Sequence, residues 1–282
     1  MLELPNPFAP DHTILRLLEP ADADRTALAA RLRDGTYERP FLVEDGHTRA
    51  LHFCWTYVQS RMRLDDPIAL QMTYTRMMMS FLLFHTTPRA VLILGLGGGS
   101  LAKYCHRNLP ESRIVAVESN CDVLALRDEF AVPPDDARFT VVEADAGAWV
   151  AATRARFDVV LLDAFDRAGR APGLADAGFY ARIHDTLWPN GVLVANVAGS
   201  AAERADHLTR LARAWGDDVL VLASEEDDDD VVFAFRDPAF EPRWRWIREQ
   251  AGAMERRYGI ELARFATRLR RSGRTSGAAA AR

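Results

Sequence analysis

One unit recurs between residues 90 and 197: a short apolar run, a stop at glycine or an acid, then a stretch with helical spacing. Residues 90–94 end at Gly95-Leu96-Gly97-Gly98-Gly99-Ser100, and a helix-like stretch follows to about Asn108. Residues 113–117 stop at Glu118, residues 138–144 near Asp145, and residues 157–162 at Asp163. A fifth run, residues 191–197, comes after a helical stretch that Pro189-Asn190-Gly191 is expected to end. Strands this apolar are buried on both faces, and parallel strands need helical crossovers. The order therefore predicts an α/β fold with a doubly wound, mostly parallel sheet.

The flanks are read more simply. Residues 219–223 and 231–235 should pair antiparallel at the sheet edge. Between them Glu225, Glu226, Asp227, Asp228, Asp229 and Asp230 form an acidic run. Adjacent acids in a turn diverge and repel, so a surface loop is favoured over a metal site. Residues 37–57 suggest a small β element with a hairpin turn at Glu44-Asp45-Gly46. Residues 68–84 read as a helix whose methionines fill core gaps, in preference to a stripe touching a cofactor. Residues 241–271 read as one helix with Trp244, Trp246, Ile247, Tyr258 and Phe265 on its apolar side, and residues 272–282 as a frayed tail. This gives an N-terminal segment over residues 1–68, a nucleoside-binding catalytic domain over 69–240 and a C-terminal helix and tail over 241–282.

Composition narrows the partners. A hydrophobic fraction of 49% supports a packed core, and a formal charge of -5 offers no positive field to nucleic acid or an anionic membrane. Cys54, Cys105 and Cys121 form no CxxC or Cys/His cluster, which favours buried thiols in a reducing cytoplasm over a catalytic cysteine or a metal site. Residues 1–20 lack a basic start and a long apolar run, and residues 77–84 are too few to span a bilayer. Lys103 is the only lysine, so Schiff-base chemistry would have to use it.

Ligands in open parallel sheets bind beyond the carboxyl ends of the strands, and the first strand–helix turn is the usual seat. The glycines Gly95, Gly97 and Gly98 allow close approach to the backbone there. Glu118, 23 residues past Gly95, can accept ribose hydroxyls and would repel a phosphorylated ribose. Ser100 stands where a dinucleotide fingerprint wants glycine or alanine, which turns the reading from hydride transfer to a nucleoside without phosphates. Asp145, Asp163 and Asp166 continue the row of acids at strand ends. Capping explains one of them more readily than all three.

The stretches VLILGLGGGS, VAVES, VEADA and LLDAFD, followed by GFY and GVLVANV, resemble the spermidine synthase (polyamine aminopropyltransferase) family. That resemblance implies a Rossmann-like sheet of the kind found in S-adenosylmethionine-dependent methyltransferases. It implies decarboxylated S-adenosylmethionine as co-substrate, its ribose on Glu118 and its adenine on Asp145 and Ala146. It implies Asp163 as the base that deprotonates the attacking amine, with Asp166 and Tyr74 lining the amine site. It implies a homo-oligomer that takes a small amine such as putrescine and needs no metal. The departures are equally specific. Gly98 replaces the acid of the family's GGGDG loop, and Thr75 replaces a glutamine or histidine. Arg39 or Pro40 stands where a nucleoside-binding glutamine is expected, with Gln59 as a substitute. Arg167 and Arg170 follow Asp166 and would oppose a dication if they faced it. Those arginines keep open a methyltransferase acting on a carboxylate-bearing substrate, with S-adenosylmethionine as cofactor, and a nucleoside-binding protein without catalysis is the third reading.

Overall fold

The computed structural model describes residues 1–9, 13–166, 169–170, 177–216, 219–225, 229–272 and 274–275, with 165–166, 169–170, 177 and 274–275 described in backbone only. The N-terminal strands are β1 (Leu2–Pro5), β2 (Ile14–Leu17), β3 (Phe41–Glu44), β4 (Thr48–His52) and β5 (Val58–Arg63), with α1 (Arg25–Arg33) between β2 and β3. They form a five-stranded antiparallel sheet in chain order. The expected hairpin at Glu44-Asp45-Gly46 joins β3 to β4, with Asp45 accepting from the amides of His47 and Thr48. The element is larger than the sequence suggested. β1 and β2 are four-residue strands whose leucines, with Leu28, Leu32, Tyr37 and Phe41, close a small core of their own.

After α2 (Thr73–Met78) and a 3-10 turn over Met79–Leu83 comes the main alternation: β6 (Ala90–Leu94), α3 (Ser100–Asn108), β7 (Arg113–Glu118), α4 (Cys121–Ala125), β8 (Phe139–Glu143), α5 (Ala146–Ala152) and β9 (Phe157–Leu162). A two-residue ribbon, β10 (Phe165–Asp166) with β11 (Gly169–Arg170), precedes α6 (Ala177–Thr186), β12 (Leu187–Ala198), α7 (Ala201–Trp215), β13 (Val219–Ala223) and β14 (Asp229–Phe235). The last described elements are α8 (Trp244–Tyr258), α9 (Leu262–Ser272) and the short β15 (Arg274–Thr275), and the tail expected over residues 272–282 lies mostly outside the described residues. The main sheet runs β15-β13-β14-β12-β9-β6-β7-β8, parallel from β12 to β8, with β14 antiparallel to both β12 and β13.

Pleating divides β6 between two cores. Val91 and Ile93 face Met77, Phe81 and α3, whereas Leu92 and Leu94 face α5, α6 and α7. Helices thus cover both sides, as the apolar runs require. Fully enclosed rings such as Phe81, Phe139 and Phe157 each contribute about 2–3 kcal/mol of burial to this sandwich.

Four expectations need correction. The helix expected over residues 68–84 starts only at Thr73, because Asp66 and the residues after it make turns. Pro189-Asn190-Gly191 does not stop a helix ahead of a strand. It lies within β12 as an irregularity between Leu187 and Val192, where the pairing with β9 shifts register. The single C-terminal helix is two, broken where Gly259 takes a left-handed φ of 67° as the cap of α8. Among the cysteines only Cys105 is buried. Cys121 is exposed at the start of α4, and all three are free thiols. Among the described residues no helix is long and apolar enough to cross a membrane.

Candidate active site

A cavity of about 360 Å³ opens at the carboxyl ends of β6, β7 and β9 and is closed from the side by β5 and α2. The sequence-identified residues Gly95, Gly97, Gly98, Glu118, Asp145, Ala146, Tyr74 and Asp163 all line it. So does Gln59, whereas Arg39 does not: its guanidinium is held by Asp122 and Glu19. Asp166 has its backbone in β10 but its side chain lies outside the described residues, as do Arg167 and the side chain of Arg170. Lys103 lies on the buried face of α3, donating to the Phe130 carbonyl and the Met62 sulfur, and does not line the cavity. Among the described residues no three His, Cys, Asp or Glu side chains group as metal ligands.

The glycine loop is shaped by contact with two neighbouring strand tips. Gly95 has a φ of 94°, and a Cβ there would sit 2.2 Å from the Asp163 carbonyl oxygen. The Gly95 amide donates to Val117 O, and the Asp163 amide donates to Leu94 O, so β6, β7 and β9 are stitched together at this point. Gly97 differs. Its Cβ position is open space on the cavity wall, the room a nucleoside needs to lie against the backbone. Glu118 Oε2 accepts from the amides of Leu96 at 3.0 Å and Gly97 at 3.4 Å, and Oε1 accepts from Asn120 at 2.9 Å. A carboxylate has about four acceptor positions, so Glu118 orients the loop and keeps capacity for a sugar hydroxyl. Asp145 Oδ1 accepts from Ala148 N at 2.7 Å and caps α5, which realises the capping reading without using Oδ2.

Gly98 has a physical explanation that the sequence could not supply. A Cβ there would lie 2.5 Å from Ser60 Oγ and 3.0 Å from the Phe130 ring. Ser60, on β5, is held 3.1 Å from Ser100 Oγ. The N-terminal sheet therefore fills the space that an acid in the loop would take. Gly98→Asp is expected to destabilise the fold by about 2–3 kcal/mol, with much of that loss recovered when Ser60→Gly is added. Chemical denaturation of the two single variants and the double variant checks this; additive losses would show that the two sites do not compete for space.

Asp163 follows β9 and is enclosed between α2 and β12. Tyr74 donates its phenol to Oδ2 at 3.1 Å, and Asn196 donates Nδ2 to Oδ1 at 3.0 Å. Burial pushes the Asp163 carboxyl up to about 6, partly offset by the hydrogen bonds from Asn196 and Tyr74. Burial and the adjacent Asp163 carboxylate hold the Tyr74 phenol well above its ordinary value, so it stays a donor. A carboxylate poised near neutrality, with both oxygens oriented, is suited to accept a proton from a bound ligand.

Asn196, Glu203 and Asp229 also line the cavity, where the sequence assigned them no role. Asn196 lay in the recognised stretch GVLVANV, but only pairing of β12 with β9 brings it beside Asp163. Glu203 forms a capping box with Ser200 at the start of α7. Asp229, assigned to a surface loop, instead begins β14 opposite Ala198. The alternation of a strand turns it toward the cavity.

A sequence model of the spermine/spermidine synthase domain matches residues 71–214. The polyamine aminopropyltransferase of Chromobacterium violaceum is 34% identical over 232 residues, covering 82% of this chain and 89% of that one. Among solved structures, a probable spermidine synthase from Corynebacterium glutamicum superposes with a TM-score of 0.60 at 17% identity, covering 86% of this chain and 84% of that one. A spermidine synthase in complex with the transition-state analogue AdoDATO gives 0.58 at 19% identity, covering 76% and 74%. At those identities the two structures speak for the fold alone.

Proposed function

Because this chain belongs to the spermine/spermidine synthase family, we infer that it is an aminopropyltransferase, moving the aminopropyl group of decarboxylated S-adenosylmethionine onto a small amine such as putrescine. The observation that carries the reaction is Asp163: a half-buried carboxyl pushed up to about 6, oriented by Tyr74 and Asn196, in the same cavity as the glycine loop. An ammonium has no lone pair with which to attack the carbon beside a sulfonium. Asp163 takes that proton, the amine nitrogen forms the new bond to carbon, and the carbon–sulfur bond breaks to leave neutral methylthioadenosine.

The other residues bind and orient. Glu118 would hold the ribose, Asp145 and Ala146 the adenine, and Gly95, Gly97 and Gly98 the nucleoside's approach to the backbone. Tyr74 would fix the carboxylate of Asp163 and, with Asp166, border the amine. Holding amine and sulfonium in line accounts for most of the acceleration expected from a site with so little covalent chemistry of its own. The same reading includes an oligomeric, cytoplasmic enzyme without a metal and without a nucleic-acid or membrane partner; static light scattering gives its subunit number.

Two measurements test the reading. Incubation with decarboxylated S-adenosylmethionine and putrescine is expected to release methylthioadenosine and spermidine, and turnover of S-adenosylmethionine instead would move the chain to the methyltransferases. In calorimetry, methylthioadenosine should bind and NADH should not. Glu118→Ala should weaken methylthioadenosine roughly 10- to 100-fold, the loss expected for a charge-assisted hydrogen bond together with a loosened loop. Unchanged affinity in that variant would remove Glu118 from the nucleoside site.

A further inference from the structure

The glycine loop rests on a turn that is itself held from the N-terminal sheet. After α4 the chain makes a 3-10 turn over Asp128–Phe130 and leaves it through Ala131, whose φ is 51°. The Ala131 amide donates to Asp128 O and the Val132 amide to Arg127 O, the pair of bonds that closes a helix end around a left-handed residue. Glycine is the usual occupant of that position, because a Cβ is penalised there. Among the described residues Ala131 is the one non-glycine with a positive φ. An alanine stays in that conformation only where its surroundings hold it.

The hold comes from two directions. Glu129 Oε2 lies 2.5 Å from Arg16 Nη1 on β2 and 2.9 Å from Arg49 Nη1 on β4, and Arg49 also donates to the Glu129 carbonyl. From α3, Lys103 donates to the Phe130 carbonyl at 2.7 Å. The residues on either side of Ala131 then meet the loop. Phe130 and Val132 are buried against it: a Cβ on Gly98 would come 3.0 Å from the Phe130 ring, and one on Gly99 would run into Val132 Cγ2. Gly98 also lines the cavity. A charged contact with the N-terminal sheet is thus two residues from a strained alanine, and that alanine is flanked by the side chains that support the loop.

Resting on the nucleoside site inferred above, we propose that Glu129 is a positioning residue for nucleoside binding. Through Arg16 and Arg49 the N-terminal sheet holds Ala131 left-handed, and the turn so held keeps Phe130 and Val132 against the glycine loop. In the parent the cost of the left-handed alanine is borne by the free and the ligated protein alike, so it does not enter the affinity. Without Glu129 the free protein relaxes at Ala131 and the loop loses its support. A ligand must then restore the turn, and its affinity falls with the fraction of molecules that remain competent. The penalty for one left-handed alanine sets that loss at about 5- to 30-fold. Glycine at this position carries no such penalty, and its turn needs no hold.

The test titrates four full-length proteins calorimetrically with methylthioadenosine: the parent, Glu129→Ala, Ala131→Gly and the double variant. Amide hydrogen exchange at Gly99 and Val132, which donate to Leu96 O and Arg127 O, is followed without ligand. Arg16 and Arg49 keep Glu3 and Glu44 as partners, so Glu129→Ala should fold. It is expected to bind about 5- to 30-fold more weakly and to exchange both amides faster by a similar factor. Ala131 is exposed, so Ala131→Gly loses no packing and should stay within about twofold of the parent. Added to Glu129→Ala, it should recover most of the loss in both readouts. A contact that only stabilises the fold would lower the denaturation midpoint of Glu129→Ala and leave its affinity unchanged, and that result overturns the proposal. So does a double variant no better than Glu129→Ala. Methylthioadenosine affinity that is equal in all four proteins defeats the role of Glu129 alone. Exchange that follows the expected pattern in a parent that ignores methylthioadenosine defeats the nucleoside reading and leaves Glu129 as the hold on the loop.

Discussion

Asp163→Asn is expected to lower the rate of aminopropyl transfer by about 10²- to 10⁴-fold, the range for loss of a general base, while the protein becomes no less stable at neutral pH. The two halves of this result have one cause. Burial lifts the Asp163 carboxyl from 3.8 to about 6, so the folded protein holds a proton there that the unfolded chain has already released. Between about pH 4 and 6 the native state binds more protons than the unfolded state, and stability falls as pH rises through that window. Above it the charged carboxylate costs on the order of 3 kcal/mol. Asparagine cannot ionise and escapes this cost. It can still accept one of the two hydrogen bonds, and its amide can donate to the orphan Oδ1 of Asn196 once that side chain turns. Thermal unfolding should therefore show the parent losing stability between pH 4 and 6 and the variant changing less. The kcat/KM profile of the parent should fall below pH about 6 as the base becomes protonated. A variant with substantial turnover would show that another group takes the proton; a variant markedly less stable at neutral pH would show that the charge is structurally required.

Gly95→Ala should be the most damaging small substitution in the loop. Its added methyl would meet Asp163 O at 2.2 Å, Asp163 C at 2.8 Å and Ala164 Cα at 2.9 Å, all backbone atoms fixed by the pairing of β6 with β9. Neither a rotamer change nor a side-chain shift relieves that overlap, and the φ of 94° is itself unfavourable for alanine. Together these should cost at least about 4 kcal/mol, seen as a lower denaturation midpoint or loss of soluble protein. Gly97→Ala is the control. It pays only about 1–2 kcal/mol for its left-handed backbone, since its methyl enters open space. It should fold and bind methylthioadenosine poorly. Equal losses of stability in the two variants would mean that backbone conformation, and not the approach of the two strand tips, governs the loop.

The sequence was most informative where local pattern and position coincide. The bounds of β6 and β9 could be read because an uninterrupted apolar run ended by glycine or an acid has few other uses in a soluble chain. Once those strands were parallel, the residues after them had to meet at one sheet edge, which is why Gly95, Glu118, Asp145 and Asp163 emerged as a set. The break at Gly259 was missed, because the apolar spacing runs on across it and outweighed the helix-ending signal of a glycine after an amphipathic stretch. β1 and β2 were not legible. Each has four residues, too short for a clear alternation, and their leucines make a core only once α1 and β3 fold back on them.

The chain's own pattern thus determined the doubly wound sheet and the glycine-loop side of the cavity, because hydrophobic periodicity and glycine placement act within a few residues. Tertiary structure alone decided the wall opposite that loop. Asn196 comes beside Asp163 through the parallel register of β12 on β9, and Asp229 reaches the same wall because β14 inserts antiparallel next to β12. Ser60 arrives from the other sheet to occupy the space beside Gly98. Strand register and inter-sheet packing are set by long-range burial of apolar faces, and a one-residue slip would turn each of these side chains away.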